Sequence, residues 1–248
     1  MKLSDNTILV AGGTSGIGRA LAEQLYLRGN RVIIAGRRQA LLESITAAHP
    51  GMHGIPLDLA DPKSIDACAI RIKEQFPTLN VLANLAAVSQ REDLVGDPHT
   101  DARSMIETNI VGVLHLTVAL LPLLVMQPHA TVIATTSGGA FVPNAMYPTY
   151  SASKAFLHSW LQSLRFQLRK TSVEVLELIP PYTQTELSGP AQATDPRAVP
   201  LAKVVADVMR LLGESSSEIL VDEVRESRWA ERNGVYDAIF AKRNEGTG

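Results

Sequence analysis

The sequence predicts a single α/β domain, in which a seven-stranded, mostly parallel sheet is doubly wound, with helices on both faces. Three observations support this fold class. Short apolar runs alternate with helical patterns along the 248 residues. The first apolar run enters a glycine-rich turn that opens a helix. Internal repeats, low-complexity tracts and linkers are absent from the sequence, so we expect one domain over 1–248.

Composition narrows the range of partners. Apolar residues make up 46% of the sequence and charged residues 19%, while the net charge of −2 offers no basic footprint for nucleic acid. The single Cys68 fits a reducing, cytoplasmic compartment. The most membrane-like segment, Ile110 to Met126, is short and contains Pro122, which favours a buried helix over a membrane span. The six histidines lack metal-ligand spacing, and His158 is interpreted as a helix-packing residue.

The first element is a βαβ unit. Thr7 to Ala11 is an apolar run that predicts a buried strand, residues 12–18 read G-G-T-S-G-I-G, and a helical pattern then ends near Gly29. Arg31 to Ala35 predicts the second strand. A glycine turn that opens a helix presents backbone N–H groups and a positive dipole end to a phosphate, so this unit predicts dinucleotide binding.

The later elements follow the same alternation. Strands are predicted at His53 to Leu57, Asn80 to Ala83, Ala130 to Ala134, Val173 to Ile179 and Glu218 to Val221. Helices are predicted at Gln39 to Ala48, Asp61 to Phe76, Thr100 to Met126, Tyr150 to Lys170, Val199 to Leu212 and Arg228 to Arg243. The aperiodic stretch 186–200 predicts a substrate loop, and 222–248 a charged C-terminal extension.

The end of the second strand bears on which dinucleotide binds. An acidic residue there would bind the adenosine ribose, but this chain has Gly36, Arg37 and Arg38. Two guanidinium groups favour a ribose 2′-phosphate, so we expect NADP(H) in preference to NAD(H). The alternative is that one or both arginines begin the next helix as solvated residues. Asp58 either accepts from the adenine amino group or caps the following turn.

A second constellation predicts proton transfer. Tyr150 and Lys154 are four residues apart, so a helix places them on one face, and Ser137 follows the fifth predicted strand. A nearby cation favours the phenolate, which predicts a lowered pKa for Tyr150. The alternative is that the pair has no catalytic role, because Tyr-x-x-x-Lys is common on amphipathic helices, where the Lys is solvated and the Tyr half-buried. Tyr147 is a rival candidate for the acid.

Taken together, these residues resemble the short-chain dehydrogenase/reductase family over nearly the whole chain, with a Rossmann-like fold. The opening residues and Gly36-Arg37-Arg38 also resemble a bacterial DltE-like branch. The motifs that carry the resemblance are 11–18 for T-G-x-x-x-G-I-G, 84–87 for N-N-A-G, Asn109, Ser137, Tyr150 to Lys154 for Y-x-x-x-K, and 180–185 for P-G-x-V-x-T.

The resemblance implies a role for each matching residue. Tyr150 would be the general acid or base, and Lys154 would lower its pKa and bind the nicotinamide ribose. Ser137 would hold the substrate oxygen, and Asn109 would position a water molecule that links Lys154 to solvent. Expected cofactor contacts are Gly12, Thr14, Ser15, Gly16, Ile17, Gly18, Arg37, Arg38, Asp58, Leu59, Asn84, Ala86, Tyr150, Lys154, Pro180, Thr183 and Thr185.

Several positions depart from the family pattern. Ala11, Leu85 and Ala87 replace Thr, Asn and Gly, and Thr183 replaces Val. Pro181 replaces Gly beside the expected nicotinamide and has no N–H to donate.

The expected activity is hydride transfer between nicotinamide and a carbonyl or secondary alcohol. The alternatives are a dinucleotide-binding redox-sensing regulator with little turnover, suggested by Pro181 and Leu85, and a structural subunit. The substrate is expected to be a small apolar or mixed molecule, in a pocket lined by Val88, Phe141, Val142, Met146, Tyr182 and Leu187. We expect a homodimer or homotetramer built on the helices of Asn109 and Tyr150, with Ala155, Ser159 and Ser163 in a close helix contact.

Overall fold

The protein is described by a computed structural model that covers residues 1–96, 101–214 and 216–245. Seven strands form one sheet in the order β3-β2-β1-β4-β5-β6-β7, and every pair of neighbours is parallel. The doubly wound α/β fold is therefore confirmed. The strands are β1 Thr7–Ala11, β2 Arg31–Gly36, β3 His53–Pro56, β4 Val81–Asn84, β5 Ala130–Thr135, β6 Val173–Ile179 and β7 Glu218–Leu220.

Helices connect the strands and cover both faces of the sheet. The α-helices are α1 Gly16–Tyr26, α2 Gln39–Ala48, α3 Pro62–Gln75, α4 Ala102–Ile106, α5 Gly112–Leu124, α6 Pro148–Leu168, α7 Leu201–Leu211, α8 Arg225–Arg228 and α9 Tyr236–Asn244. A π-helical turn, Glu107–Val111, joins α4 to α5. The predicted start of this helix at Thr100 lies outside the described residues.

One helix prediction is wrong. Of the expected helix from Arg228 to Arg243, only Arg228, at the end of α8, and the part within α9 are helical, and residues 229–235 between them are not. Gly234 lies between them with φ +68°, a left-handed conformation that a continuous helix does not allow.

The core consists of two layers, one on each side of the sheet. Ile8, Val10 and Ile34 pack with α1, α2 and α7, whereas Leu9 and Ile33 pack with α3, α5 and α6. Because both faces of each inner strand are covered, the strands are continuous apolar runs instead of alternating ones. This explains why the sequence showed the strands so clearly.

The apolar stretch Ala102–Leu124 is long and apolar enough to cross a membrane by length and composition. In the fold its inner side is a core face, since Leu116, Leu120 and Leu124 are fully buried. A Cβ atom on Gly112 would lie 2.1 Å from the Leu59 carbonyl oxygen. The helix therefore packs directly on the backbone that follows β3, and this contact fixes the position of the preceding π-helical turn.

The strand order reverses between β1 and β4, which are neighbours although two strands separate them in sequence. At such a point the connections leave toward opposite faces and open a crevice at the carboxyl ends of the strands. The glycine turn after β1, Asn84 at the end of β4 and Ser137 after β5 all lie at this edge.

Candidate active site

The glycine turn between β1 and α1 is shaped by close backbone packing. Gly12 has φ +89°, and a Cβ atom there would lie 2.5 Å from the backbone nitrogen of Ala86. A Cβ atom on Gly18 would lie 2.2 Å from the Gly12 carbonyl oxygen. The turn therefore tolerates glycine alone at these positions, and it brings the start of α1 against the end of β4.

The N-terminus of α1 fits a phosphate group. Its N-cap residue Ser15 makes no side-chain capping hydrogen bond, and its first turn contains no acidic residue. The free N–H groups and the helix dipole are therefore uncompensated by the protein's own side chains. Thr185, from the segment after β6, lies against Gly16, with its Cγ2 atom 3.4 Å from where a Cβ would be. The turn thus faces a cleft between β1 and β6.

Arg38 lies over this turn. Its guanidinium donates hydrogen bonds to Thr14 Oγ1 at 3.2 Å and to Ser15 Oγ at 2.7 Å, although the side chain is exposed. Arg37 is exposed as well, but within the described residues it makes no such contact with the turn. The two arginines are therefore distinct, and Arg38 is the one whose guanidinium contacts the glycine turn.

The other expected cofactor contacts are spread along the same edge. Asp58 Oδ1 accepts from Ala60 N at 3.0 Å, so this carboxylate caps a local turn, as the alternative interpretation held. Asn84 Nδ2 donates to Thr117 Oγ1 at 3.0 Å, while its buried Oδ1 atom has no partner in the described part of the chain. Leu59, Pro180 and Thr183 are buried, and Ile17 packs on the core as a partly buried residue.

Ser137 and Tyr150 meet at the mouth of the cleft. Ser137 follows β5 in an extended conformation and caps a short 3₁₀ turn, with its Oγ accepting from Gly139 N at 3.1 Å. Tyr150 lies in the first turn of α6, which begins at Pro148. A hydrogen bond joins the two hydroxyl groups. The structure therefore brings together two members of the predicted proton-transfer trio, Ser137 and Tyr150.

The expected direction of the Tyr150 pKa shift is wrong. Burial raises the pKa of Tyr150 to about 12, and the hydrogen bond with Ser137 opposes this effect only in part. Lys154 does not counter it, because its Nζ lies 5.6 Å from the centroid of the Tyr150 ring and donates instead to the Thr135 carbonyl oxygen at 2.8 Å. The phenol is consequently protonated at neutral pH.

Lys154 is the largest fully buried side chain, with 1% of its surface exposed. Burial lowers the pKa of its ammonium group from 10.5 to about 8. The hydrogen bond to Thr135 ties α6 to the end of β5, two residues before Ser137. This buried cation is thus part of both the site and the packing of the helix.

Asn109 lies in the π-helical turn and is fully buried. Its Oδ1 accepts from Val88 N at 2.9 Å, and its Nδ2 donates to Val88 O at 2.9 Å and to Ser153 Oγ at 3.2 Å. Through these bonds Asn109 links the segment after β4 to α6. The π-turn widens the helix at a position where a side chain serves a loop, a common feature of functional sites.

Sequence reasoning missed Glu92. This residue is buried, and its carboxylate accepts from Thr149 N at 2.8 Å and Thr149 Oγ1 at 2.7 Å. It therefore caps the N-terminus of α6, one residue before Tyr150, and its charge suits that end of the helix. No local pattern identifies such a cap, since Glu92 and Thr149 are 57 residues apart in the sequence.

The expected substrate pocket needs a correction. Val142 is fully buried and packs with Ala230 and Ile239 of the C-terminal region, so it does not line a pocket. Phe141 packs its ring edge against His158 and lies under the Arg228 guanidinium. In contrast, Tyr182 and Leu187 are exposed near the loop 186–200, and Ser188 Oγ donates to Ser89 Oγ at 3.1 Å.

Comparison with known proteins identifies the family. The profile of the family described as short chain dehydrogenase matches residues 6–196. This chain belongs to that family. An uncharacterized oxidoreductase named DltE, from Bacillus subtilis (strain 168), is 38% identical over 250 residues, covering 98% of each chain. The protein is accordingly a DltE-like, NAD(P)-dependent oxidoreductase, and a redox-sensing regulator with little turnover is not favoured.

Solved structures of low sequence identity confirm the fold. A short chain dehydrogenase from Burkholderia cenocepacia J2315 in complex with NADP is 22% identical, with a TM-score of 0.84 over 98% of this chain and 99% of that one. A short chain dehydrogenase/reductase from Burkholderia phymatum in complex with NAD is 21% identical, with a TM-score of 0.82 over 100% and 99% of the two chains. These two neighbours therefore share the fold of this chain, and one of them binds NADP and the other NAD.

The buried ammonium group of Lys154 gives the enzyme a testable pH dependence of stability. Its pKa is lowered from 10.5 to about 8, so the unfolded chain binds this proton more tightly than the folded enzyme. The resulting destabilisation is complete below pH 8 and disappears as the pH rises toward 10.5. We expect Lys154→Met to raise the free energy of unfolding by about 1–3 kcal/mol at pH 7, and by less at pH 10.

Urea unfolding at both pH values measures this difference, with the exposed Lys170→Met as the matched control. A variant at position 154 that is less stable at pH 7, or a stability gain that is equal at both pH values, would contradict the prediction.

Proposed function

We propose that the enzyme reduces a carbonyl group with Tyr150 as the proton donor. The observation that carries this proposal is the hydrogen-bonded Ser137–Tyr150 pair beside the cleft of the glycine turn. A phenol with a pKa of about 12 holds its proton at neutral pH, so a proton is available for transfer to the carbonyl oxygen. A nicotinamide dinucleotide, when bound at the glycine turn, would supply the hydride.

The remaining residues have distinct roles in this proposal. Ser137 donates a hydrogen bond to the substrate oxygen and holds it beside the Tyr150 hydroxyl. Lys154 orients α6 and offers its ammonium group to the ribose hydroxyls, and Asn109 fixes the segment after β4 against α6. Gly12, Gly16, Gly18 and the N–H groups that open α1 hold the pyrophosphate. Pro181 has no backbone N–H, so a hydrogen bond to the carboxamide of the nicotinamide would come from neighbouring residues.

The pocket above this site is proposed to accept a small molecule of mixed polarity. Leu187 is exposed next to Ser188, whose hydroxyl contacts Ser89, and the exposed Tyr182 donates a hydrogen bond to Asp195 of the same loop. Two bonds tether the base of the loop, since Val199 N donates to Tyr182 O and Gln192 Nε2 to Thr183 O. We also propose a cytoplasmic location, with the buried thiol of Cys68 as support.

The proton-donor role is tested with Tyr150→Phe. We expect kcat for reduction to fall by about 10²-fold or more, because general acid catalysis contributes on that scale. Turnover is measured with NADPH and a panel of aldehydes and ketones. Tyr147→Phe is the matched control and should stay within about threefold of the unmodified enzyme. Activity that survives in Tyr150→Phe, or that is lost in Tyr147→Phe alone, would overturn the assignment.

We propose NADP(H) as the preferred cofactor, with Arg38 binding the 2′-phosphate. Its guanidinium already lies over Thr14 and Ser15 at the glycine turn. A charge-assisted bond contributes about 1.5–3 kcal/mol, so Arg38→Ala should weaken NADPH binding by about 10- to 100-fold and leave NADH binding almost unchanged. Arg37→Ala removes the same charge and should have a smaller effect. Fluorescence titration measures both, and tighter binding of NADH by the unmodified enzyme would refute the proposal.

We propose a homodimer or homotetramer that assembles through α5 and α6. Val118 is exposed on α5 and Val111 in the π-helical turn before it, and Phe156 and Phe166 are exposed on α6. Such an apolar surface is typical of an interface, and Ala155, Ser159 and Ser163 are exposed along the same helix, where small residues allow close approach.

Sedimentation velocity tests the proposed assembly. We expect a dimer or tetramer for the unmodified protein and a smaller species for Ser159→Arg, since a long charged side chain blocks close helix packing. Exposed Lys170→Met serves as the control and should keep the assembly. If the unmodified protein sediments as a monomer, the proposed assembly is wrong.

A further inference from the structure

Glu177 is a fully buried carboxylate in β6, which lies between β5 and the edge strand β7. It lies opposite Ala134 of β5, on the face of the sheet that α6 covers. Each of its oxygens accepts hydrogen bonds: Oε1 from Thr136 Oγ1 at 2.7 Å and from His158 Nδ1 at 3.0 Å, and Oε2 from His158 Nδ1 at 2.8 Å. A buried charge with this set of partners is uncommon unless it has a specific role.

The two partners come from the two elements that carry the reacting hydroxyl groups. Thr136 is the residue before Ser137, and His158 follows Lys154 by one helical turn, just as Lys154 follows Tyr150. Glu177 therefore bridges the serine end of β5 to the helix of Tyr150. The Phe141 ring, from the segment that leaves Ser137, also contacts the His158 ring, with centroids 4.7 Å apart.

The proton on the His158 ring can be assigned from its surroundings. Both contacts between the ring and the Glu177 carboxylate are made by Nδ1, and a carboxylate oxygen accepts hydrogen bonds, so Nδ1 donates. The ring proton is therefore on Nδ1, where it faces the carboxylate. From the sequence, His158 was expected only to pack between helices. In the structure it is also the donor that connects α6 to Glu177.

We propose that Glu177 and His158 are positioning residues, which act through Thr136 to hold the hydroxyl groups of Ser137 and Tyr150 at a fixed separation. The inference rests on the proposed role of the Ser137–Tyr150 pair. Such a buried pair is poor evidence of stabilisation, because well-packed apolar residues of similar size often replace it at no cost to stability. Its directional hydrogen bonds, in contrast, fix two elements relative to each other, and a misplacement of about 1 Å lowers catalysis by about 10²-fold.

The experiment separates positioning from stability by using paired variants. His158→Leu leaves the carboxylate without its main donor and should lower both thermal stability and kcat. In the double variant His158→Leu/Glu177→Leu no carboxylate remains to be satisfied, so the melting temperature should recover while kcat stays at least about tenfold low. His158→Asn keeps a donor near the position of Nδ1 and should retain kcat within about threefold.

Three measurements are made on each variant. These are the melting temperature, the dissociation constant for NADPH, and kcat with the carbonyl compound of the panel that the unmodified enzyme reduces fastest. The dissociation constant should stay within about twofold throughout, since the pair is on the side of the serine and tyrosine. Crystal structures of the double variant and the unmodified enzyme then compare the separation of Ser137 Oγ and Tyr150 Oη, which we expect to widen.

The outcomes distinguish this inference from the proposed function. If the double variant keeps both the unmodified kcat and the unmodified separation, the positioning role is wrong, while a low kcat in Tyr150→Phe still supports the proton donor. If Tyr150→Phe keeps its activity, the proposed function is wrong, and the crystallographic separation alone then decides whether the pair positions the two hydroxyl groups. A kcat that recovers together with the melting temperature would assign the pair a structural role only.

Discussion

The layout of the active site depends on the hydrogen bond from the buried ammonium group of Lys154 to the Thr135 carbonyl oxygen. This bond joins α6 to the end of β5, and so it sets the approach of Tyr150 to Ser137. It also explains why a charge is tolerated inside the fold at a cost to stability. A side chain that lowers stability and yet occupies the interior fits a functional role, because proteins keep strained or unfavourable groups mainly where activity requires them.

The site is formed by segments that are distant in sequence. The carboxyl edge of a parallel sheet brings together the glycine turn, Asn84 and Ser137, and α6 adds two titrating groups to the same edge. Asn109 and Glu92 secure the segment after β4 to α6 through buried hydrogen bonds. The polar interior is consequently concentrated at one edge, and the apolar layers on the two faces of the sheet supply most of the burial.

The sequence predicted the elements well because its signals there are local. Buried strands such as Thr7–Ala11 are short, largely apolar runs, and the glycine turn needs glycine for steric reasons at Gly12 and Gly18. The order and spacing of Ser137, Tyr150 and Lys154 also predicted that they lie at the same edge of the sheet. The sequence failed on the pKa of Tyr150, because burial and the direction of the Lys154 side chain depend on tertiary packing. It likewise missed Glu92 and Glu177, whose partners lie far away in sequence.

The most direct test of this account is a titration of Lys154 itself in the ligand-free enzyme. Lysine side chains labelled with ¹³C at Cε are followed by NMR as a function of pH, and the signal absent from Lys154→Met is assigned to this residue. The account predicts that this signal titrates at about 8, well below the ordinary value of 10.5. A titration at 10.5 or above would show a solvated ammonium group and would contradict the buried cation on which the site geometry rests.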